Sequence, residues 1–562
     1  QSAAGWLRLT FRLAQKTQVE IHSAGRILTV DLPAGRGVRV LEVPLPIDTV
    51  RGGEGFVKYR LIGSRTAVLF LLLPRFQRWM RDLPAAGRLL ISGVTGLASR
   101  MMPGSSESRD PYLHWIAQYD ALNEADVAAI ATSIDAMPLH PLISILLPVS
   151  GGDVRWIEMT VESVRAQLYS NWELCIVGHG TSSLPLRPTL ERFAALDRRI
   201  HVRWLESDSG VAAASNVALG IATGDLVGPL GQGDEFARQA LYHVADAWNR
   251  DPTWALLYTD EDKLDLHGRR SEPLFKPEWN ETLFFSYDYV SRFCAMRTAI
   301  VRALGGFREG FAGAEDYDLV LRIIEEVDAS RIRHLPFPLY HRRIDQSAKA
   351  SAHRGASNAR EAARCALREH LARRGIDAEV LPGFGACHRV RYALPNPVPK
   401  VSVILCNRDR VGLLAEVVRG LRHETDYPNI EIIIVDNQSR EPATHEYFRE
   451  LASDSRVRVL SYDSAFNFSA INNMAARSAT GTVLALLNTD MKIMHADWLR
   501  EMTSLACRPD VGAVGAKLLY PNDRIQHAGV LLGIAGLAGH AHKGFRRNAP
   551  GYASRAQALQ EW

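Results

Sequence analysis

The sequence predicts an α/β protein made of two tandem copies of one mostly parallel-sheet domain, the second cut short, preceded by a small β-rich domain. Three observations predict it. From Pro141 onward, apolar runs alternate with amphipathic helical stretches, the order that builds a parallel sheet with helices on its faces. The pattern then restarts. Val401-Ser-Val-Ile-Leu405 repeats Ile143-Ser-Ile-Leu-Leu147, and at the same offset Asn429-Ile-Glu-Ile-Ile-Ile-Val435 repeats Asn171-Trp-Glu-Leu-Cys-Ile-Val177. After the loss of one residue, Asn473 meets Asn216 and Ala479-Thr-Gly481 meets Ala222-Thr-Gly224. Matches held so nearly in register mark a duplication. Residues 1–100, by contrast, alternate short apolar runs with Gly and Pro, as in Arg26–Leu32 and Val57–Ile62, which is the spacing of a small β domain.

The 562 residues suffice for roughly three or four domains. Apolar residues at 47% and charged residues at 23% exclude a disordered chain. Lys and Arg number 66 against 62 Asp and Glu, a net charge of +4. That balance excludes a protein whose business is coating nucleic acid. The longest apolar run, Ala67–Pro74, falls well short of the ~20 residues of a membrane helix. Six scattered cysteines with no Cys-x-x-Cys pair indicate neither a disulfide framework nor a zinc site. The expectation is a cytoplasmic protein. Because the first residue is Gln1 and the pattern stops in mid-unit at Trp562, the chain reads as a segment of a longer one.

Five regions follow. Residues 1–100 form the β-rich domain, 101–140 a linker and helical segment, and 141–345 the first α/β copy. Residues 346–399 form a helix-and-strand connector ending in Pro395-Asn-Pro-Val-Pro399, and 400–562 the incomplete second copy. In the first copy, Ile143–Val149, Trp172–Val177, Ile200–Leu205 and Asp225–Leu230 read as strands, with helices between them. Ligands of such sheets sit at the carboxyl ends of the strands. In the second copy those ends carry Asp436-Asn437 and Asn488-Thr489-Asp490. Asp436 is placed to accept from a base or ribose. Asp490 is placed to hold Mg²⁺ or Mn²⁺ against a diphosphate. The plain alternative is that both are turn residues.

These copies resemble bacterial family 2 glycosyltransferases of the nucleotide-sugar-binding GT-A fold. The resemblance rests on Tyr258-Thr-Asp-Glu-Asp-Lys263, Phe275-Lys-Pro277, Gly305-Gly-Phe-Arg-Glu-Gly310, Glu315-Asp-Tyr-Asp-Leu319, Asp426-Tyr-Pro428 and Gly539-His-Ala-His-Lys-Gly544, among others. It points to the tandem-domain subgroup that makes O-antigen and other surface polysaccharides. It implies a nucleotide-sugar donor, a glycan or lipid-linked glycan acceptor, a divalent metal and inversion at the anomeric carbon. By position it makes Asp316, with Glu315, the base that deprotonates the acceptor. Asp436, Asn437, Asn488 and Asn473, with Asp234, Asp260 and Asp262 of the first copy, become donor-binding candidates, and Asp490 the metal ligand. Helix capping is an equal reading for Asn473 and its neighbours Asn467 and Asn472.

The copies depart from that pattern in opposite ways. In the first, Gly178-His179 replaces the base-contacting acid, and Gly231-Gln-Gly-Asp234 keeps one acid of the metal motif. The acid-rich stretch Asp260-Glu261-Asp262 reads as a turn, either solvated or holding a metal or the acceptor. The second copy keeps the donor side, but the counterpart of Asp316 falls past Trp562. The expectation is therefore an impaired first copy that binds acceptor or scaffolds, and an active second copy. A rival has the first copy working without metal through His179 or nearby Lys and Arg. The alternative for the whole chain is a catalytically inactive glycan-binding scaffold. A nucleotidyltransferase fits poorly, since neither Ser150-Gly-Gly-Asp153 nor Asn407-Arg-Asp-Arg410 makes a basic phosphate loop. His540 and His542 alternate as on one strand face, without the acids or cysteines of a zinc site. His527 is a further pocket candidate. His341 reads either as a packed histidine or as one approaching the diphosphate. Arg75, Arg78 and Arg81, interleaved with Phe76, Trp79 and Met80, are a candidate contact with the anionic inner membrane face, against the reading of an ordinary surface helix.

Overall fold

A computed structural model describes residues 110–344, 349–532 and 538–561, together with six strands between residues 4 and 62. The described residues fall into two compact units, Glu107–Val514 with Tyr552–Glu561, and Gln1–Ser106 with Gly515–Gly551. In the N-terminal stretch the strands are β1 (Ala4–Leu13), β2 (Thr17–Ser23), β3 (Arg26–Leu32), β4 (Gly35–Pro44), β5 (Ile47–Gly52) and β6 (Phe56–Ile62). They pair antiparallel in two sheets, β4-β1-β6 and β3-β2-β5. The expected β-rich character is present. The run Ala67–Pro74, the basic stretch around Arg78 and the linker 101–109 lie outside the described residues.

The first α/β copy follows two helices, Pro111–Tyr119 and Glu124–Asp135, each capped by an acceptor side chain, Asp110 and Asn123. Its strands are β7 (Ile143–Val149), β8 (Trp172–His179), β9 (Ile200–Leu205), β10 (Leu226–Pro229), β11 (Glu235–Phe236), β12 (Leu256–Leu264), β13 (Arg270–Leu274), β14 (Cys294–Arg297) and β15 (Ile332–Arg343). Eight run in the order β11-β15-β12-β14-β10-β7-β8-β9, and β13 pairs with β12. The strands β10, β7, β8 and β9 are mutually parallel. Strand β8 is buried along its whole length, as a strand covered on both faces must be. Strand β14 runs antiparallel to β10, so its start lies at the carboxyl end of the parallel strands.

Between the copies a helix, Lys349–Arg373, leads to the hairpin β16 (Ala378–Pro382) and β17 (His388–Tyr392). The second copy has β18 (Val401–Asn407), β19 (Ile430–Asp436), β20 (Val457–Ser461) and β21 (Val483–Leu487), all parallel, in the order β20-β19-β18-β21. This is the order β9-β8-β7-β10 over again. Among the described residues β21 is an edge strand, with Leu484 and Leu486 exposed.

The duplication extends to a buried hydrogen-bond device. In the first copy Glu173 accepts from Ser144 Oγ at 2.7 Å and from the Thr223 and Gly224 amides. In the second, Glu431 accepts from Ser402 Oγ, from the Thr480 amide at 2.6 Å and from the Gly481 amide at 3.2 Å. Each carboxylate ties two strands to the turn that enters a third. Burial pushes the Glu431 carboxyl up, but the Ser402 and Thr480 hydrogen bonds and the Lys400 charge outweigh it and bring it down to about 2. A carboxyl lowered in the fold stabilises it fully above its ordinary value, and that contribution fades as pH falls toward about 2. Glu431→Gln is therefore expected to destabilise the second copy by ~2 kcal/mol at pH 7 and by progressively less below pH 4, read by urea unfolding at each pH.

Candidate active site

The carboxyl end of the first sheet gathers three charged side chains: Asp288, Arg292 and Asp316. Asp316 stands in the first turn of the helix Glu315–Glu326. That helix is held in place by its own next acid. Asp318 is fully buried and accepts from Arg308 Nε at 3.1 Å and from Arg322 Nε and Nη2 at 3.0 and 2.8 Å. Arg322 also donates to the Leu304 and Gly306 carbonyls at 2.9 and 2.8 Å. Asn216 completes the clamp, donating to Phe307 O at 2.7 Å and accepting from Phe307 N at 2.8 Å. Gly306 lies at φ 74°, and a Cβ there would stand 2.3 Å from Asn216 Oδ1, so the turn before the helix requires glycine.

Within this brace Asp316 itself is half-buried and has no hydrogen-bond partner among the described residues, whereas Glu315 accepts from Gly313 N at 2.8 Å. Burial raises the Asp316 carboxyl, the Arg292 charge opposes this, and Asp288 and Glu315 raise it again, to about 7. A carboxylate that is accessible, unpaired and poised near neutral pH is what a general base requires. Asp288 accepts from Val290 N and Ser291 N at 3.2 and 2.9 Å, which fixes the chain just ahead of Arg292.

The other acids singled out in the first copy are spent inside the protein. Asp260-Glu261-Asp262 is not a turn but part of strand β12, and Asp260 and Asp262 are buried. Asp260 Oδ1 meets His334 Nε2 and Lys276 N, both at 2.7 Å. Asp262 meets His341 Nδ1 at 2.7 Å and accepts from Tyr112 OH and Arg270 Nε at 2.5 Å each. The charges read as solvated are instead matched by partners far away in sequence. His341 is thus a packed, hydrogen-bonded histidine. A cavity of about 480 Å³ opens beside this wall, lined by Glu261, Asp262, Arg342 and Tyr552 among others. Tyr552 belongs to a strap, Tyr552–Glu561, that the sequence did not signal. Its hydroxyl donates to Pro273 O at 2.9 Å, and Glu561 accepts from Thr282 Oγ1 at 2.7 Å.

Asp234 is likewise committed. It accepts from the Tyr340 hydroxyl and, at 2.9 Å, from Arg343 N. A Cβ at Gly231 would stand 2.5 Å from Asp234 Oδ2 and 2.9 Å from the Tyr340 hydroxyl, and Gly233 lies at φ 89°. Gly231 has no room for a side chain and Gly233 holds a backbone that favours glycine, while Asp234 is already spent on Tyr340 and Arg343, so the motif offers no free acid and the first copy does not fit a divalent cation. At the end of β8 a Cβ on Gly178 would come within 2.1 Å of the Trp204 ring. His179 is buried, with Nδ1 3.2 Å from Asp208.

In the second copy Asn488, Asp490 and Asn473 are exposed and make no hydrogen bond, and Asp436 is half-buried, accepting from Ser439 N at 3.1 Å. Asn437 is buried and donates to the Tyr462 and Ser464 carbonyls, so it holds the loop. Asn467 caps the following helix through Ala470 N, and Asn472 is buried against Phe468 O. In Gly515–Gly551, His527 Nδ1 lies 2.8 Å from His540 Nδ1, while His542 sits in a turn beyond the strand that ends at His540. Among the described residues no group of three or more His, Cys, Asp or Glu is placed to hold a metal, all six cysteines are free, and no helix is long and apolar enough to cross a membrane.

The fold is a GT-A-like α/β fold on a mostly parallel sheet. Residues 144–311 and 402–548 each match the family model described as glycosyl transferase family 2, and the chain belongs to that family. O-antigen biosynthesis protein RfbC of Myxococcus xanthus is 40% identical over 466 residues, covering 82% of this chain and 36% of that protein. The uncharacterized protein y4gI of Sinorhizobium fredii is 40% identical over 425 residues, covering 75% of this chain and 47% of that protein. The chain thus spans less than half the length of either relative. Among solved structures, S. aureus TarS 1-349 in complex with UDP overlaps 41% of this chain and 72% of its own, at 20% identity and a TM-score of 0.31, which adds nothing to the family match.

Proposed function

We propose that the protein is a nucleotide-sugar-dependent glycosyltransferase that extends a bacterial surface glycan of the O-antigen type, by inverting displacement with Asp316 as base. The observation that carries this is the Asp316 carboxylate, accessible and unpaired on a rigidly braced helix. An acceptor hydroxyl that loses its proton there attacks the anomeric carbon from the face opposite the leaving nucleoside diphosphate. A scaffold derived from such a domain would have no reason to keep a half-buried charge unpaired. The M. xanthus relative, named for O-antigen biosynthesis, supports the glycan class. A glycan or lipid-linked glycan is the acceptor, and work at the inner membrane face belongs to the same proposal.

This reading gives the first copy, expected from the sequence to be impaired, a catalytic part. The first holds the base and is a transferase site in its own right. The second offers Asp436, Asn488 and Asp490 on the donor side, and Asp490 is the residue that would hold Mg²⁺ or Mn²⁺. A cation held there would supply positive charge to the departing diphosphate. Asp490→Ala is expected to weaken Mn²⁺-dependent binding of a nucleoside diphosphate by roughly 100-fold, measured by calorimetry with UDP, GDP and dTDP. Unchanged metal-dependent binding would remove Asp490 from the donor site.

A further inference from the structure

Among the described residues two exposed cations that act on Asp234, Arg292 and Arg342, make no hydrogen bond or ion pair, and Arg292 also acts on Asp316. Arg292 precedes β14, and because β14 runs antiparallel to β10, its start comes to the end of β10 from which Gly231–Asp234 departs. The Arg292 side chain is exposed and makes no hydrogen bond or ion pair with the described residues. The acidic groups that feel its charge include Tyr340, Asp234, Glu261, Asp288 and Asp316. These span the ground between the lost metal motif and the base. Its backbone lies at φ 148°, a conformation uncommon for a residue with a side chain. Such strain is kept where the surroundings hold a side chain at a particular place. Lys276, a nearby cation, is buried and occupied by Glu261 at 3.0 Å and Val290 O at 3.3 Å, and the charge of Arg342 falls on Asp234 and not on Asp316.

We propose that the first copy binds the diphosphate of a nucleoside diphosphate without a divalent cation, Arg292 supplying the positive charge that a metal would otherwise bring. The inference rests on the glycosyltransferase reading and names the ligand class of its first site. The chemistry is complementary. Gly231 and Gly233 leave the motif without acids to repel phosphate oxygens. A guanidinium offers paired N–H donors matched to a phosphate edge, and its charge needs no metal-binding carboxylates. Asp234 stays tied to Tyr340 and Arg343 and does not compete for Arg292 through a direct ion pair.

The test is calorimetric titration of UDP, GDP and dTDP into the chain in EDTA and again in Mn²⁺, with Arg292→Ala, Arg292→Lys and Asp490→Ala alongside. The expected result is binding of one nucleotide in EDTA that is weakened roughly 10–100-fold by Arg292→Ala, less by Arg292→Lys, and not at all by Asp490→Ala. Because Arg292 has no partner among the described residues, the melting temperature of Arg292→Ala should match the parent. Inorganic pyrophosphate serves as the second probe. Binding weaker than that of the nucleotide supports a nucleotide site, whereas equal binding overturns the nucleoside assignment in favour of another diphosphate. Binding seen only with Mn²⁺ and lost in Asp490→Ala overturns this inference and leaves the glycosyltransferase reading standing. EDTA-resistant binding that ignores Arg292→Ala also overturns it. No nucleotide binding under any condition contradicts both.

Discussion

Replacement of Asp316 by Asn is expected to lower the rate of sugar transfer by roughly 10²–10⁴-fold with no loss of stability. The carboxylate takes the acceptor proton as the new bond forms, and an amide cannot. Since no described residue donates to Asp316, removing its charge leaves no orphaned partner among them, and the melting temperature should hold or rise slightly. The pH dependence carries the same signature. The base acts only when ionised, and with the carboxyl raised to about 7 the rate should climb about tenfold per pH unit below 7 and level off above it. A profile flat down to pH 5, or a mutant of near-normal rate, would place the base elsewhere.

Two residues on, the same chemistry has the opposite role. Asp318→Ala is expected to cost ~3–5 kcal/mol of stability in the first copy, about 10 °C or more in melting temperature. Asp318 is fully buried, and both Arg308 and Arg322 close on it. Its loss leaves the Arg322 guanidinium in the interior without its carboxylate and releases Arg308 from the helix. Activity should fall as well, but through unfolding, so the loss tracks the melting curve and not the pH profile. Thermal unfolding followed by circular dichroism separates the two mutants. A normal melting temperature for Asp318→Ala would show that the buried ion cluster is not what holds the helix.

What the sequence made legible was whatever is written in contiguous runs. The parallel strands Ile143–Val149 and Val401–Asn407 are apolar because both faces are covered, and the duplicated Asn-x-Glu and Ala-Thr-Gly blocks recur because each copy needs the same buried carboxylate joined to the same turn. Asp316 was legible only through resemblance, and its place in the first turn of a braced helix became visible with the fold. Distant partners stayed hidden. Asp260 and Asp262 read as a turn that holds a metal, donor or acceptor or else is left in water, because nothing local announces that His334, His341 and Arg270 return to meet them. Asn437 looked like a donor contact, but a carboxamide at a strand end also suits a loop whose carbonyls need donors, as those of Tyr462 and Ser464 do. Arg292 carried no signal at all. Its significance comes from strand order, which brings the start of β14 to a motif some sixty residues earlier.

Proton NMR of sugar released from α-linked UDP-, GDP- and dTDP-sugars, with water as acceptor, tests the central claim most directly. Water activated by Asp316 attacks from the face opposite the diphosphate, so the β-anomer should accumulate first, before mutarotation, from one of the donors and not in Asp316→Asn. The α-anomer appearing first, or release undiminished in Asp316→Asn, would contradict an inverting transferase with its base at Asp316.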